Sequence, residues 1–127
     1  MEVQLSKNFV LSEFHCRDGT RVPSMYYDNL KTLVYNLQML RDCIEKPIII
    51  LSGYRTIEHN KAVNGSRKSY HLTAQAADFI VPSIMIETLH EIVGHLIRNG
   101  SMKPGGLGLY DTFIHYDTRG YNSRWML

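Results

Sequence analysis

The chain has 127 residues, with 14 Lys and Arg against 12 Asp and Glu; a net charge of +2 is too balanced to argue for a nucleic-acid or membrane-surface partner. Hydrophobic residues at 44% and charged residues at 20%, with a mean hydropathy of -0.20, exclude extensive disorder and fit one domain over 1–127. The longest apolar runs, Pro47–Leu51 and Ala76–Pro82, are far too short to span a membrane. Met1-Glu2-Val3-Gln4 lacks the basic end and apolar run of a signal peptide, so none is expected.

In chain order, Phe9-Val10-Leu11 opens the structure and Cys16-Arg17-Asp18-Gly19-Thr20 forms a polar loop with an Asp-Gly turn. A short strand is expected at Thr20–Val22. Pro23-Ser24 starts a long helix, whose apolar stripe Leu30, Leu33, Val34, Leu37, Leu40 and Ile44 recurs at three- and four-residue steps. After Pro47, the run Ile48–Leu51 predicts a buried strand. A short helix over Ile57–Val63 ends at Asn64-Gly65, and a polar loop follows to Thr73. Ala76–Val81 predicts a second strand. Ser83 is the expected cap of a second long helix that buries Met85, Leu89, Ile92, Val93, Leu96 and Ile97. Gly105–Tyr110 and Thr112–Asp117 predict two antiparallel strands joined at Asp111. Helices interleaved with a small, mostly antiparallel sheet define an α+β fold.

Six histidines raise the question of metal binding, since a lone histidine is usually structural. Three positions place ligand-type side chains in or beside rigid strands: His71 before the second strand, Asp78 on it, and His115 on the last. Two imidazoles and one carboxylate suit one Zn²⁺ with a fourth position open to water. Cys16 and Cys43 make no CxxC, lie far in sequence from any histidine pair, and are expected to be reduced, partly buried thiols.

Written out, Ser69-Tyr70-His71-Leu72-Thr73-Ala74-Gln75-Ala76-Ala77-Asp78 resembles the Ser-x-His-x-x-x-x-Ala-x-Asp signature of the zinc D-Ala-D-Ala carboxypeptidase and murein endopeptidase family. Ser52-Gly53-Tyr54-Arg55-Thr56 with His59-Asn60, and Gly106–Tyr110 through Phe113–Gly120, resemble two further segments of that family in the expected order. Asn8–Phe14 and Cys16–Thr20 resemble its murein-endopeptidase branch, whose members cleave cross-linked stem peptides. The resemblance implies the zinc D,D-peptidase, hedgehog-like architecture and a zinc held by His71, Asp78 and His115. It also implies peptidoglycan peptide as substrate, with D,D-carboxypeptidase or endopeptidase action favoured over L,D cleavage. Action at the bacterial cell wall, by a periplasmic enzyme or a phage-type endolysin, and a monomeric state are the matching expectations. A non-catalytic zinc-binding recognition module of the same fold is the competing class.

Asp117 shares the strand face of His115, which makes it either the general base for a metal-activated water or the group that orients the imidazole. Asp111 competes as base but reads as a turn residue. Arg55 is the expected clamp for a substrate carboxylate or developing oxyanion, against pairing with a structural carboxylate. Ser69 is expected to bond the loop or substrate, His59 and Asn60 to brace the site, with His59 also a substrate-binding candidate placed to meet the leaving group, and Tyr54, Tyr70 and Tyr116 to line the cleft. His90-Glu91-Ile92-Val93-Gly94-His95 imitates a zinc helix, but histidines five apart are separated by about 140° on a helix. Gly105-Gly106-Leu107-Gly108 lacks the Lys-Ser/Thr and helix of a phosphate loop; its glycines are expected to permit close backbone approach near the cleft or substrate.

Overall fold

The computed structural model describes residues 2–127; Met1, the first residue of the expected 1–127 domain, lies outside the described residues. A hairpin of β1 (Gln4–Ser6) and β2 (Phe9–Val10) precedes helix α1 (Tyr27–Ile44). Strand β3 (Ile49–Ser52), helix α2 (Ile57–Ala62), strand β4 (Ala76–Ile80) and helix α3 (Ile86–Arg98) follow. Strands β5 (Gly106–Leu109), β6 (Ile114–Asp117) and β7 (Ser123–Met126) complete the chain. The main sheet has the order β3-β4-β6-β5-β7; only β7 runs parallel to its neighbour, β5. The expected α+β class with a mostly antiparallel sheet is therefore the observed one.

Strand alternation divides the sheet into two chemical faces. Ile50 lies opposite Phe79, Phe79 opposite Ile114, and Ala77 opposite Tyr116, which also faces Leu107. This set is buried and joins Leu30, Leu33, Val34, Leu37 and Leu40 of α1 and Leu89, Val93, Leu96 and Ile97 of α3 in one core. The opposite face carries Ser52, Asp78, His115, Asp117, Gly106 and Gly108, with Trp125 of β7 beside Gly108. The core face is nearly all hydrocarbon; the other holds the ligand-type side chains.

Several local expectations change. Thr20–Val22 is not a strand, and the chain enters α1 through a 3-10 turn at Ser24–Tyr26. Strand β3 lies at the edge of the sheet, so Ile49 and Leu51 are 44% and 40% exposed rather than buried. Helix α3 begins after Met85 rather than at Ser83, and Met85, expected on the buried face, is 71% exposed because it precedes the first turn. The polar loop before β4 contains a 3-10 turn, Tyr70–Thr73. Strand β7 has no counterpart among the expected elements: its arginine and its tryptophan fall on opposite faces of an edge strand, a pattern too short and polar to read as a strand. No described helix is long and apolar enough to cross a membrane.

Candidate metal centre

His71 reaches the site from the 3-10 turn, where the Ser69 hydroxyl caps the chain by accepting from the His71 amide at 3.1 Å. Ala74 closes that turn in the left-handed region at φ 58°, a conformation costing a Cβ-bearing residue about 1 kcal/mol. It redirects the chain into β4. On that strand Asp78 is directly opposite His115 of β6, so two of the three candidate ligands are set side by side by strand register alone. The ligand-type atoms of His71, Asp78 and His115 all lie within 4.8 Å of one another, and all three residues are buried.

The proton positions follow from the partners. His71 Nδ1 is 2.6 Å from the carbonyl oxygen of Gly53, which can only accept, so Nδ1 carries the hydrogen and Nε2 presents its lone pair. Nε2 lies 3.2 Å from Asp78 Oδ1. His115 Nε2 is 2.7 Å from Asp117 Oδ2 and donates to it, which leaves Nδ1 facing the same Asp78 oxygen at 3.0 Å. Three acceptors thus converge, and only a shared cation relieves their mutual repulsion. A divalent ion fits this gap and satisfies all three. Asp78 is the third member of this donor set.

The electrostatics agree. Burial works against ionising Asp78, but the adjoining His115 and His71 imidazoles favour its charge and hold the carboxyl well below the usual range. Burial also lowers the His71 pKa, with Asp78 only partly opposing it. For His115 burial is outweighed by Asp117 and Asp78, and the pKa rises. Asp117 is fully buried, and burial again opposes its charge. Bonds from Arg119, His115 and the Gly106 amide nevertheless keep it ionised, well below the ordinary carboxylate range.

Around the three residues lies a cleft of about 600 Å³ lined by Arg55, Ser69, Tyr70, Tyr110, Phe113, Arg119, Tyr121 and Trp125, among others. Arg55 is on this cleft, yet its guanidinium is largely committed: it donates to Asp78 Oδ2 at 2.8 Å, Ser52 Oγ at 3.0 Å and Asn60 Oδ1 at 3.2 Å. The expected alternative, pairing with a carboxylate, is thus the observed contact, made by a residue that also lines the cleft. Asn60 is buried and braces Arg55, as expected. Ser69 and Tyr70 line the cleft.

Three expected placements are corrected. Tyr116 does not line the cleft: it sits between His115 and Asp117 on β6, so alternation turns it to the core face, where it is fully buried and its hydroxyl donates to the Lys103 carbonyl at 2.8 Å. Tyr54 lies against Tyr26, with ring centroids 6.1 Å apart, and is not on the cleft. His59 is not on the cleft either; α2 turns its ring toward Cys16 and Asp18. Asp117 shares the face of His115 as expected, but its two oxygens are taken by His115, Arg119 and Gly106, and it does not line the cleft. Asp111 is exposed and also off the cleft.

Arg119, Tyr121 and Trp125 carried no assigned role in the sequence. The Arg119 guanidinium carbon lies 4.5 Å from the Tyr70 ring centroid and 5.5 Å from that of Trp125, while Trp125 itself stands 5.1 Å from the His115 ring. Continuing the two-residue alternation from His115 through Asp117 to Arg119 would have found the arginine. Close approach at the glycines is made to other parts of the chain: a Cβ on Gly105 would strike the Asp117 backbone carbonyl, one on Gly106 the Asp117 carboxylate, and one on Gly108 the Trp125 indole. Of the imitation zinc helix, His95 is exposed and His90 half-buried, as its spacing implies.

Residues 7–117 match the Peptidase M15 family, and the chain belongs to that family. It is similar to the peptidoglycan L,D-endopeptidase MepK of Escherichia coli (strain K12), 34% identical over 92 residues that cover 67% of this chain and 47% of MepK. MepK of Shigella flexneri matches with the same identity and coverage. The chain spans about half the length of these curated relatives.

Proposed function

We propose that this chain is a zinc-dependent peptidoglycan endopeptidase domain that hydrolyses a peptide bond in the stem peptides of the bacterial wall. The observation that carries this reading is the convergence of two imidazole lone pairs and one carboxylate oxygen in a buried pocket at the floor of an open cleft. His71 Nε2, Asp78 Oδ1 and His115 Nδ1 would hold the ion. Zinc in such a site supplies Lewis acidity and lowers the pKa of a bound water to about 7.

The chain's own residues set up that chemistry. Gly53 fixes the His71 tautomer, and Asp117, itself gripped by Arg119, fixes that of His115. Arg55 occupies Asp78 Oδ2 and leaves Oδ1 for the ion. Three of its five N–H groups have protein partners; the remaining two are available to a peptide carbonyl or carboxylate in the cleft. Asp117 serves as the orienting group rather than the base, since both of its oxygens are occupied and it is off the cleft. Tyr70, Tyr121 and Trp125 give the substrate an aromatic wall.

The name of the MepK relatives supports an L,D bond as the one cleaved, ahead of the D,D bond that the motif resemblance favours. Digestion of defined muropeptides followed by mass spectrometry tests the proposal. The expected result is a mass change for cleavage at an L,D linkage, abolished by a chelator and restored by Zn²⁺. Fragments from D,D linkages would reassign the bond. Intact muropeptides in the presence of Zn²⁺ would support the non-catalytic recognition module instead.

A further inference from the structure

A second group of ligand-type side chains lies outside the cleft. Atoms of Cys16, Asp18 and His59 all fall within 4.8 Å of one another, and none of the three residues lines the cleft. The chain prearranges them. The Gly19 amide donates to the Cys16 carbonyl at 3.0 Å and the Cys16 amide to the Thr20 carbonyl at 2.9 Å. With the Thr20 amide bonded to Asp18 Oδ1 at 2.8 Å, the loop is a closed turn that presents thiol and carboxylate together. Thr56 then ties the turn to α2: its hydroxyl donates to Asp18 Oδ2 at 2.7 Å and accepts from the His59 amide at 3.1 Å. Cys16 is 3% exposed and unbridged, and among the described residues no hydrogen bond holds the His59 ring.

We propose that Cys16, Asp18 and His59 form a second divalent-cation site, separate from the His71 centre, which binds zinc or a metal of similar softness and fastens the Cys16–Thr20 turn to α2. One thiolate, one imidazole and one carboxylate form a donor set that selects zinc over magnesium or calcium. Tetrahedral bonds of 2.0–2.3 Å place ligand atoms about 3.3–3.8 Å apart, a spacing that falls inside the 4.8 Å within which these three atoms lie. Asp18 is held by the Thr20 amide and the Thr56 hydroxyl, so any closing adjustment falls to the half-exposed His59 ring, which no hydrogen bond among the described residues holds. Binding forms a sulfur–metal bond while the Cys16 thiol proton passes to solvent, and exposure of Asp18 leaves the fourth position to water. The ion would act as a strut, because Thr56 directly follows Arg55, whose guanidinium holds Asp78.

The test uses the full chain carrying Cys43→Ser, which removes the other, exposed thiol. Metal content is measured after equilibration with Zn²⁺, and the absorption spectrum after loading with Co²⁺. Two equivalents per chain are expected, with a thiolate-to-cobalt charge-transfer band in the near ultraviolet. Cys16→Ser should abolish the band and one equivalent, whereas His71→Ala should remove the other equivalent and keep the band. His59→Gln, at a half-exposed position, repeats the first result where Cys16→Ser fails to fold. A single equivalent that disappears with His71→Ala, or a second one that survives Cys16→Ser or His59→Gln, overturns the proposal.

Discussion

Arg119 reaches back two residues to grip Asp117 with Nε and Nη2, each at 2.8 Å from a carboxylate oxygen, directly behind the Asp117–His115 contact of 2.7 Å. The fork holds the carboxylate in one plane, and the carboxylate holds one imidazole tautomer. Such support behind a ligand typically governs metal affinity by about 10–100-fold. Asp117→Asn should therefore weaken Zn²⁺ binding by about that factor, read by competition with a chromophoric chelator, with the far-ultraviolet circular dichroism unchanged. Unaltered zinc affinity with abolished turnover would instead return Asp117 to the role of base.

His71→Ala and His115→Ala are expected to lose zinc from this centre and, with it, muropeptide hydrolysis, while remaining folded. Each removes one of three donors from a buried set, and the remaining pair cannot close the coordination shell. Zinc content of the purified variants and their thermal unfolding profiles check this.

Arg55→Lys keeps the charge but loses the fork that touches Asp78, Ser52 and Asn60 together. A hydrogen bond to a charged group contributes about 1.5–3 kcal/mol. A fall of roughly ten- to a hundred-fold in kcat/KM is expected from steady-state kinetics on a defined muropeptide. Wild-type kinetics in the lysine variant would show that the arginine geometry is dispensable.

Tyr116→Phe separates core from cleft. It deletes the hydroxyl bond to the Lys103 carbonyl and should cost about 1 kcal/mol in denaturant unfolding, with kcat/KM unchanged. A specific loss of turnover would put the side chain back in the substrate site.

Gly108→Ala should displace the indole of Trp125, which occupies the space a Cβ would need. Overpacking of this kind costs about 1–3 kcal/mol. Because the chain has one tryptophan, its fluorescence reports the ring's movement away from His115 directly. An unchanged emission spectrum and melting temperature would contradict the tight packing described.

Much of this was legible in the residues because the relevant physics is local. The helical stripe of α1 and the spacing from His71 to Asp78 need no knowledge of the distant chain. Tyr116 was also locally decidable: the alternation that put Asp117 with His115 sends the residue between them to the other face. What the sequence hid depends on remote neighbours. Strand β7 exists because it adds to the edge of β5, and His59 meets Cys16 across a separation of 43 positions through a turn and a helix cap. The exposure of Ile49 and Leu51 follows from the edge position of β3, which no residue within that strand encodes.

Because Asp78 and His115 face each other across adjoining strands, an ion gripped by both would act as a proofreader of pairing. A slip of one residue between β4 and β6 would send one of the two side chains to the hydrocarbon side. Mispaired chains would be left without a binding pocket, so occupancy would favour the native alignment over its nearest competitors.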